Sequence, residues 1–121
     1  YIINHKPQSV LNKFKQVSPD ELGISSITVA ELEFGVAKSK FMNKNKTALE
    51  LFLAPFEIFN YDCIAAHFYG GIRSHLEKLG KPIGAMDLLI ASHTMALNRT
   101  IVTNNSKEFK RIPNLKVENW V

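Results

Sequence analysis

The sequence predicts an α/β domain in which a short parallel sheet carries helices on both faces. Short segments rich in β-branched and apolar residues recur along the chain, and longer segments with helical spacing separate them. Parallel strands need crossover connections of this kind. The length of 121 residues corresponds to about one domain.

The N-terminal third contains the first three predicted elements. Apolar spacing in 7–16 predicts a helix, and the turn-forming residues at 18–20 end it. A strand is predicted at 22–27. Thr28 and Glu31 have the spacing of a capping box, so Thr28 is predicted to cap the following helix, with Glu31 in its first turn.

The rest of the chain alternates in the same way. Predicted elements are helices at 43–53, 62–79 and 86–97, and strands at 56–59, 100–103 and 115–117. The helix at 62–79 has one apolar stripe, formed by Ala65, Phe68, Ile72, Leu76 and Leu79. Almost every position of 86–97 is apolar or small, so this helix is predicted to be buried on most sides.

Composition excludes several classes of protein. Hydrophobic residues make up 45% and charged residues 21%, a globular balance rather than a disordered one. A single cysteine excludes an intrachain disulfide, and with no secretion signal in the sequence it predicts a cytoplasmic protein. No apolar run reaches the ~18 residues of a membrane span. The net charge of +4 is compatible with a nucleic-acid partner without requiring one.

Three carboxylates are predicted where strands lead into helices, the edge at which parallel sheets bind ligands. They are Glu31, Asp87 and Glu108, and each has an ordinary explanation as well: a capping box, a helix N-cap, and a surface ion pair with Lys107 or Lys110. Together they would repel one another unless a hard cation such as Mg²⁺ or Mn²⁺ neutralised them. Such a cluster suits metal-dependent phosphodiester hydrolysis. The chain has no zinc-ligand spacing and no glycine-rich phosphate loop.

Three stretches carry a resemblance to a known family. They read SSITVAELEFG at 25–35, IGAMDLLIA at 83–91 and IVTNNSKEF at 101–109. In this order and spacing they resemble the PIN-domain toxins of type II toxin–antitoxin modules, the VapC family. The resemblance covers nearly the whole chain and implies a PIN-like fold and a Mg²⁺- or Mn²⁺-dependent endoribonuclease.

The resemblance also implies roles for individual residues. Glu31 and Asp87 match the second and third acidic positions of the family's metal site. Asn105 stands where many PIN domains have an aspartate, and in such sequences the acidic function is thought to pass to the residue matching Glu108. The implied metal ligands are therefore Glu31, Asp87, Glu108 and Asn105, and Thr103 would orient them by hydrogen bonding.

Partners follow from the same resemblance. The relatives closest to this motif set cut transfer RNA, notably the initiator tRNA, and are silenced by a VapB antitoxin in a complex that binds operator DNA. Homodimers are expected for the family. Five apolar residues could form the interface, although packing in the core would explain them equally well: Phe34, Phe41, Leu49, Leu51 and Phe52. Four lysines are predicted either to contact RNA phosphates or to form a solvated loop: Lys38, Lys40, Lys44 and Lys46.

One departure from the family pattern leaves alternatives open. The family's first strand ends in an Asp-Thr-Asn signature, whereas residues 1–3 match the start of the helix after it. We expect a single PIN-like domain over 1–121 whose first strand, with its aspartate, precedes residue 1. The missing aspartate and the presence of Asn105 favour a different interpretation, a non-catalytic module with a nucleic-acid-binding or regulatory role. A metal-dependent DNase is a third hypothesis.

Overall fold

A computed structural model describes residues 22–103 and 105–119. This part of the chain forms four short strands and five helices. In chain order they are β1 (Gly23–Ser25), α1 (Ser26–Ala37), α2 (Met42–Leu53), β2 (Glu57–Phe59), α3 (Cys63–Lys78), α4 (Ala85–Ala96), β3 (Thr100–Val102), α5 (Ser106–Phe109) and β4 (Lys116–Glu118). The helix predicted at 7–16 lies outside the described residues.

The strands pair in parallel, which confirms the predicted α/β class. Ile24 of β1 is in register with Ile58 of β2, and Ile101 of β3 with Val117 of β4. Within the described residues the strands form two separate pairs rather than one sheet. Because each strand has only three residues, the helices supply most of the packing.

The hydrophobic core lies between α3, α4, β3 and the segment after it. Its buried members are Ile72, Leu76, Leu88, Ile90, Ala91, Ile101, Phe109 and Ile112. Helix α4 also buries Ser92 and His93. The prediction that this helix is enclosed on most sides is therefore confirmed. No helix in the described part of the chain is long and apolar enough to cross a membrane.

Helix α1 begins three residues earlier than predicted, at Ser26 rather than after a cap at Thr28. Ser25 has extended backbone, and its hydroxyl accepts a hydrogen bond from the Ile27 N–H at 3.1 Å, so Ser25 is the N-cap. The predicted capping box of Thr28 and Glu31 is wrong. Thr28 is a buried helical residue, and Glu31 lies in the second turn. The strand predicted at 22–27 is correspondingly shorter.

Helix α3 follows its sequence signals closely. The Asp62 side chain caps it by accepting from the Ala65 N–H at 2.9 Å, and Gly80 follows its end with a φ of 68°. The predicted stripe is correct for the buried Ile72. It is wrong for Leu79, which is 55% exposed because the helix ends at the preceding residue.

Two glycines around α3 give opposite predictions for stability. Gly80 has the left-handed conformation, whereas Gly71 is inside the helix, and an added Cβ meets no atom within 4 Å at either site. Gly80→Ala should lower the free energy of unfolding by about 1–2 kcal/mol. Gly71→Ala should raise it by about 0.5–1 kcal/mol. Urea unfolding of both variants checks this. Changes of the same sign in the free energy of unfolding would contradict the prediction.

Candidate active site

Asp87, Asn105 and Glu108 lie together where α4 and α5 begin. Asp87 is in the first turn of α4, Asn105 is the N-cap of α5, and Glu108 is in its only turn. The Asn105 amide Nδ2 donates to Glu108 Oε2 at 2.8 Å and is 3.4 Å from Asp87 Oδ2. One amide group therefore bridges two carboxylates.

The pKa values of Asp87 and Glu108 are shifted in opposite directions. Burial, a hydrogen bond with Glu108, and the charges of Glu108 and Glu31 raise the pKa of Asp87 to about 6. The pKa of Glu108 is lowered because it accepts hydrogen bonds from Asp87 and Asn105. Asp87 is the more buried of the two, so protonation is favoured at Asp87 over Glu108. Glu31 is close enough for its charge to act on Asp87.

The structure brings the sequence-predicted residues to one edge of the fold. Three of them touch one another, and Glu31 approaches from α1 within electrostatic range. Thr103, at the end of β3, is buried and contacts the same turn: its hydroxyl accepts from the Asn105 N–H at 3.0 Å. Among the described residues, no three His, Cys, Asp or Glu side chains are grouped tightly enough to form a ready metal site.

The ordinary explanations for two of these acids are wrong. Gly84, rather than Asp87, is the N-cap of α4. Glu108 contacts Asn105 and Asp87, and among the described residues no ion pair joins it to Lys107 or Lys110. The position of both carboxylates is therefore not explained by helix capping or by a surface ion pair.

The four predicted RNA-binding lysines are all exposed. Lys38 lies with its Nζ 5.0 Å from the centre of the Phe34 ring, and Lys40 lies 5.8 Å from that of Phe41. The other two, Lys44 and Lys46, are on the first turns of α2. Their contact with RNA remains a prediction.

Sequence reasoning missed a buried polar network between α4 and the ends of β1 and β2. His93 is 2% exposed, and its Nδ1 lies 2.7 Å from Ser25 Oγ. Its ring packs edge-on against Tyr61, whose hydroxyl lies 2.8 Å from Ser92 Oγ. Burial lowers the pKa of His93, which favours the neutral ring. A histidine inside an otherwise apolar helix was the available signal, because a buried polar group needs a partner.

Comparison with known proteins assigns the family. The model of the PIN domain matches residues 1–115, which is most of the chain. The chain belongs to the PIN-domain family. Its relatives place it in the VapC branch. The chain is 48% identical to "Ribonuclease VapC2" of Rickettsia felis over 121 residues, with 99% of this chain and 90% of the relative covered.

Two further comparisons agree with this placement. The "tRNA(fMet)-specific endonuclease VapC" of Shigella flexneri is 37% identical over 120 residues, covering 99% of this chain and 90% of the relative. The crystal structure of VapBC2 from Rickettsia felis bound to a promoter DNA fragment superposes with a TM-score of 0.89 at 47% identity. It covers 95% of this chain and 87% of that one. The short parallel strands and the order of helices are thus those of a PIN domain.

The raised pKa of Asp87 predicts that this residue destabilises the metal-free fold. Its pKa is about 6 when folded and about 3.8 when unfolded, so the folded chain binds more protons between these values, and stability falls as pH rises through this window. Asp87→Asn should therefore raise Tm in EDTA at pH 7, with a gain that shrinks towards pH 4.

The control is Glu77→Gln, which removes an exposed carboxylate 3.3 Å from Arg73 Nε. Such a surface pair contributes at most about 1 kcal/mol, so Tm should change little and should not rise. An Asp87→Asn variant with a pH-independent Tm difference would contradict the assigned pKa.

Proposed function

We propose that this chain is a Mg²⁺- or Mn²⁺-dependent endoribonuclease that acts in the cytoplasm as the toxin of a VapBC-type module. Its substrate is RNA, and we propose transfer RNA, including the initiator tRNA, so that cleavage inhibits translation. The name of the Shigella flexneri relative supports this substrate. The observation that carries the proposal is the contact of Asp87 with Glu108 beside Glu31, an acidic cluster at a fold edge.

The donor set fits a hard divalent cation. Carboxylate oxygens are the ligands that Mg²⁺ and Mn²⁺ prefer. Burial and the charges of Glu108 and Glu31 raise the pKa of Asp87, and a bound cation would offset both effects. Glu31, Asp87 and Glu108 would hold it, and Asn105 would join them by presenting its amide oxygen. When bound, such a cation supplies Lewis acidity for hydrolysis of the phosphodiester to a 5′-phosphate and a 3′-hydroxyl.

The protein's own residues have two tasks in this reaction. Asp87 would bind the cation in its ionised form, and the Asn105 amide holds Glu108 beside it. Thr103 keeps Asn105 in place by accepting from its backbone N–H. We propose Thr103 as a support of the ligand set rather than as a ligand.

The domain expectation from the sequence also stands as a proposal. Residues 1–121 would form one PIN-like domain, with a further strand that precedes residue 1 and carries the remaining aspartate. A cavity whose lining includes Ile24 of β1, Phe59 of β2 and Ile101 of β3 supports a single domain, because both strand pairs contribute to its walls. The relatives also extend beyond the matched region, since 90% of each is covered.

Exposed apolar residues support a protein partner. Phe34, Phe41 and Leu51 are 66%, 63% and 72% exposed, whereas Leu49 is buried and Phe52 is half-buried. Exposed apolar surface of this kind marks interfaces. We propose that α1 and α2 contribute to binding of a VapB-type antitoxin or to a homodimer, in a complex that binds operator DNA as the Rickettsia felis VapBC2 complex does.

Removing either central carboxylate should abolish cleavage. Asp87→Asn and Glu31→Gln should each lower the rate of tRNA cleavage in Mg²⁺ by roughly 100-fold or more, because several kcal/mol of charge stabilisation is lost. Glu33→Gln is the matched control, since this acid is two residues from Glu31 and exposed. Gel analysis of total tRNA checks the rates, and equal cleavage by wild type and Asp87→Asn would refute the assignment.

The same assay separates the proposal from the non-catalytic alternative. A full-length chain that binds RNA with a steep salt dependence, yet cuts neither RNA nor DNA in Mn²⁺, would favour a binding or regulatory module. Cleavage of DNA alone would favour the DNase hypothesis.

The exposed lysines yield a prediction on RNA binding. Changing Lys38, Lys40, Lys44 and Lys46 to alanine should weaken tRNA binding. It should also reduce the slope of log K against log salt by about 0.7 for each lysine that contacts a phosphate. Alanine at Lys78 and Lys116, which are exposed on α3 and β4, is the control. Filter binding at several salt concentrations measures both quantities, and an unchanged slope for the four-lysine variant would assign these residues to a solvated surface.

A further inference from the structure

Helix α1 carries Glu31 but is weakly anchored by apolar contacts. Thr28 is the single buried residue of this helix, and Phe34 is largely exposed. Its N-terminal end, by contrast, has two polar anchors. Ser25 Oγ contacts His93, and Ser26 Oγ accepts a hydrogen bond from the Tyr61 N–H at 3.0 Å.

The Ser25 hydroxyl can donate a hydrogen bond to the His93 ring. Ser25 Oγ already accepts from the Ile27 N–H, so its own proton is free to be donated to His93 Nδ1 at 2.7 Å. The His93 ring also forms a hydrogen bond with the backbone of Asn60, directly after β2. A neutral His93 therefore joins the end of β1, the end of β2 and the interior of α4.

This arrangement links the two helices that carry Glu31 and Asp87. Glu31 lies six positions after Ser25, and Asp87 lies six positions before His93. Six helical positions correspond to about 9 Å along the helix axis. A side chain end lies roughly 5–6 Å from the helix axis, so turning α1 by about 20° would shift Glu31 by about 2 Å. That shift is about as large as the length of a Mg²⁺–oxygen bond.

We infer that Ser25 and His93 are positioning residues of the acidic site, whose hydrogen bond sets the orientation of α1 against α4 and thereby the placement of Glu31 relative to Asp87. This inference rests on the proposed metal-dependent function. Neither residue touches substrate or metal. Outer contacts that orient metal ligands typically change metal affinity or activity by 10–100-fold.

Three substitutions in the full-length chain separate positioning from helix capping. Ser25→Gly keeps a good N-cap residue but loses the hydroxyl, and Ser25→Thr keeps both. His93→Phe keeps a ring against Tyr61 but accepts no hydrogen bond. The control is Ser92→Ala, which removes a fully buried hydroxyl from the neighbouring position and leaves the contact between Ser25 and His93 intact.

The measurements are Mn²⁺ affinity by calorimetry, and kcat and KM for tRNA cleavage in Mn²⁺. Ser25→Gly and His93→Phe should each weaken Mn²⁺ binding by about tenfold and lower kcat with an unchanged KM, and the double variant should be no worse than either single one. Ser25→Thr should restore wild-type values. Ser92→Ala should leave Mn²⁺ affinity unchanged even where its Tm falls.

The outcomes distinguish this inference from the proposed function. Unchanged Mn²⁺ affinity in folded Ser25→Gly, or an equal loss in Ser92→Ala, overturns the positioning role. Circular dichroism identifies the variants that fold. If His93→Phe does not fold, the Mn²⁺ affinity of Ser25→Gly alone tests the positioning role. A wild-type chain that binds Mn²⁺ but leaves tRNA uncut contradicts the nuclease proposal alone, because the affinity comparison still applies. A wild-type chain without Mn²⁺ binding overturns both.

Discussion

The burial of helix α4 is the constraint on which the rest of the structure depends. Strands of three residues define little by themselves, so this helix organises the core by packing against α3 and β3. It must also accommodate two polar features: Asp87 in its first turn and His93 in its interior. The first faces the acidic edge, and the second finds its partner at Ser25. Both placements follow from fixing one helix at the centre of the molecule.

The carboxylates at the acidic edge lower the stability of the fold when no cation is bound. Asp87 is held near Glu108 and Glu31, and their charges and its burial oppose its ionisation. Neighbouring parts of the chain limit the cost, since the Asn105 amide donates to Glu108 and Thr103 accepts from the Asn105 backbone. Carboxylates kept close against their repulsion are typical of sites that bind a cation, and this is the physical basis of the proposed nuclease activity.

Local signals in the sequence predicted most of the helices, whereas tertiary contacts decided what was missed. The bounds of α3 were predictable because the Asp62 cap and Gly80 act through neighbouring backbone. The start of α1 was not, since several hydroxyl residues compete as caps there and Ser25 is also held by His93 from a distant helix. For the site, spacing indicated which carboxylates share an edge. It could not indicate that Asn105 would lie between two of them, because that depends on how α4 and α5 meet.

The order of the elements along the chain has a consequence for folding. Helices α3 and α4 are sequence neighbours joined by a short loop, so their contact is local and can form early. The pairing of β1 with β2, in contrast, joins Ile24 to Ile58 across both α1 and α2, so it closes a longer loop at a greater entropy cost. Glu31 reaches the edge through β1 and α1, and Glu108 through β3 and α5. We therefore expect Glu31 to join Asp87 and Glu108 only after the two helices α3 and α4 have paired.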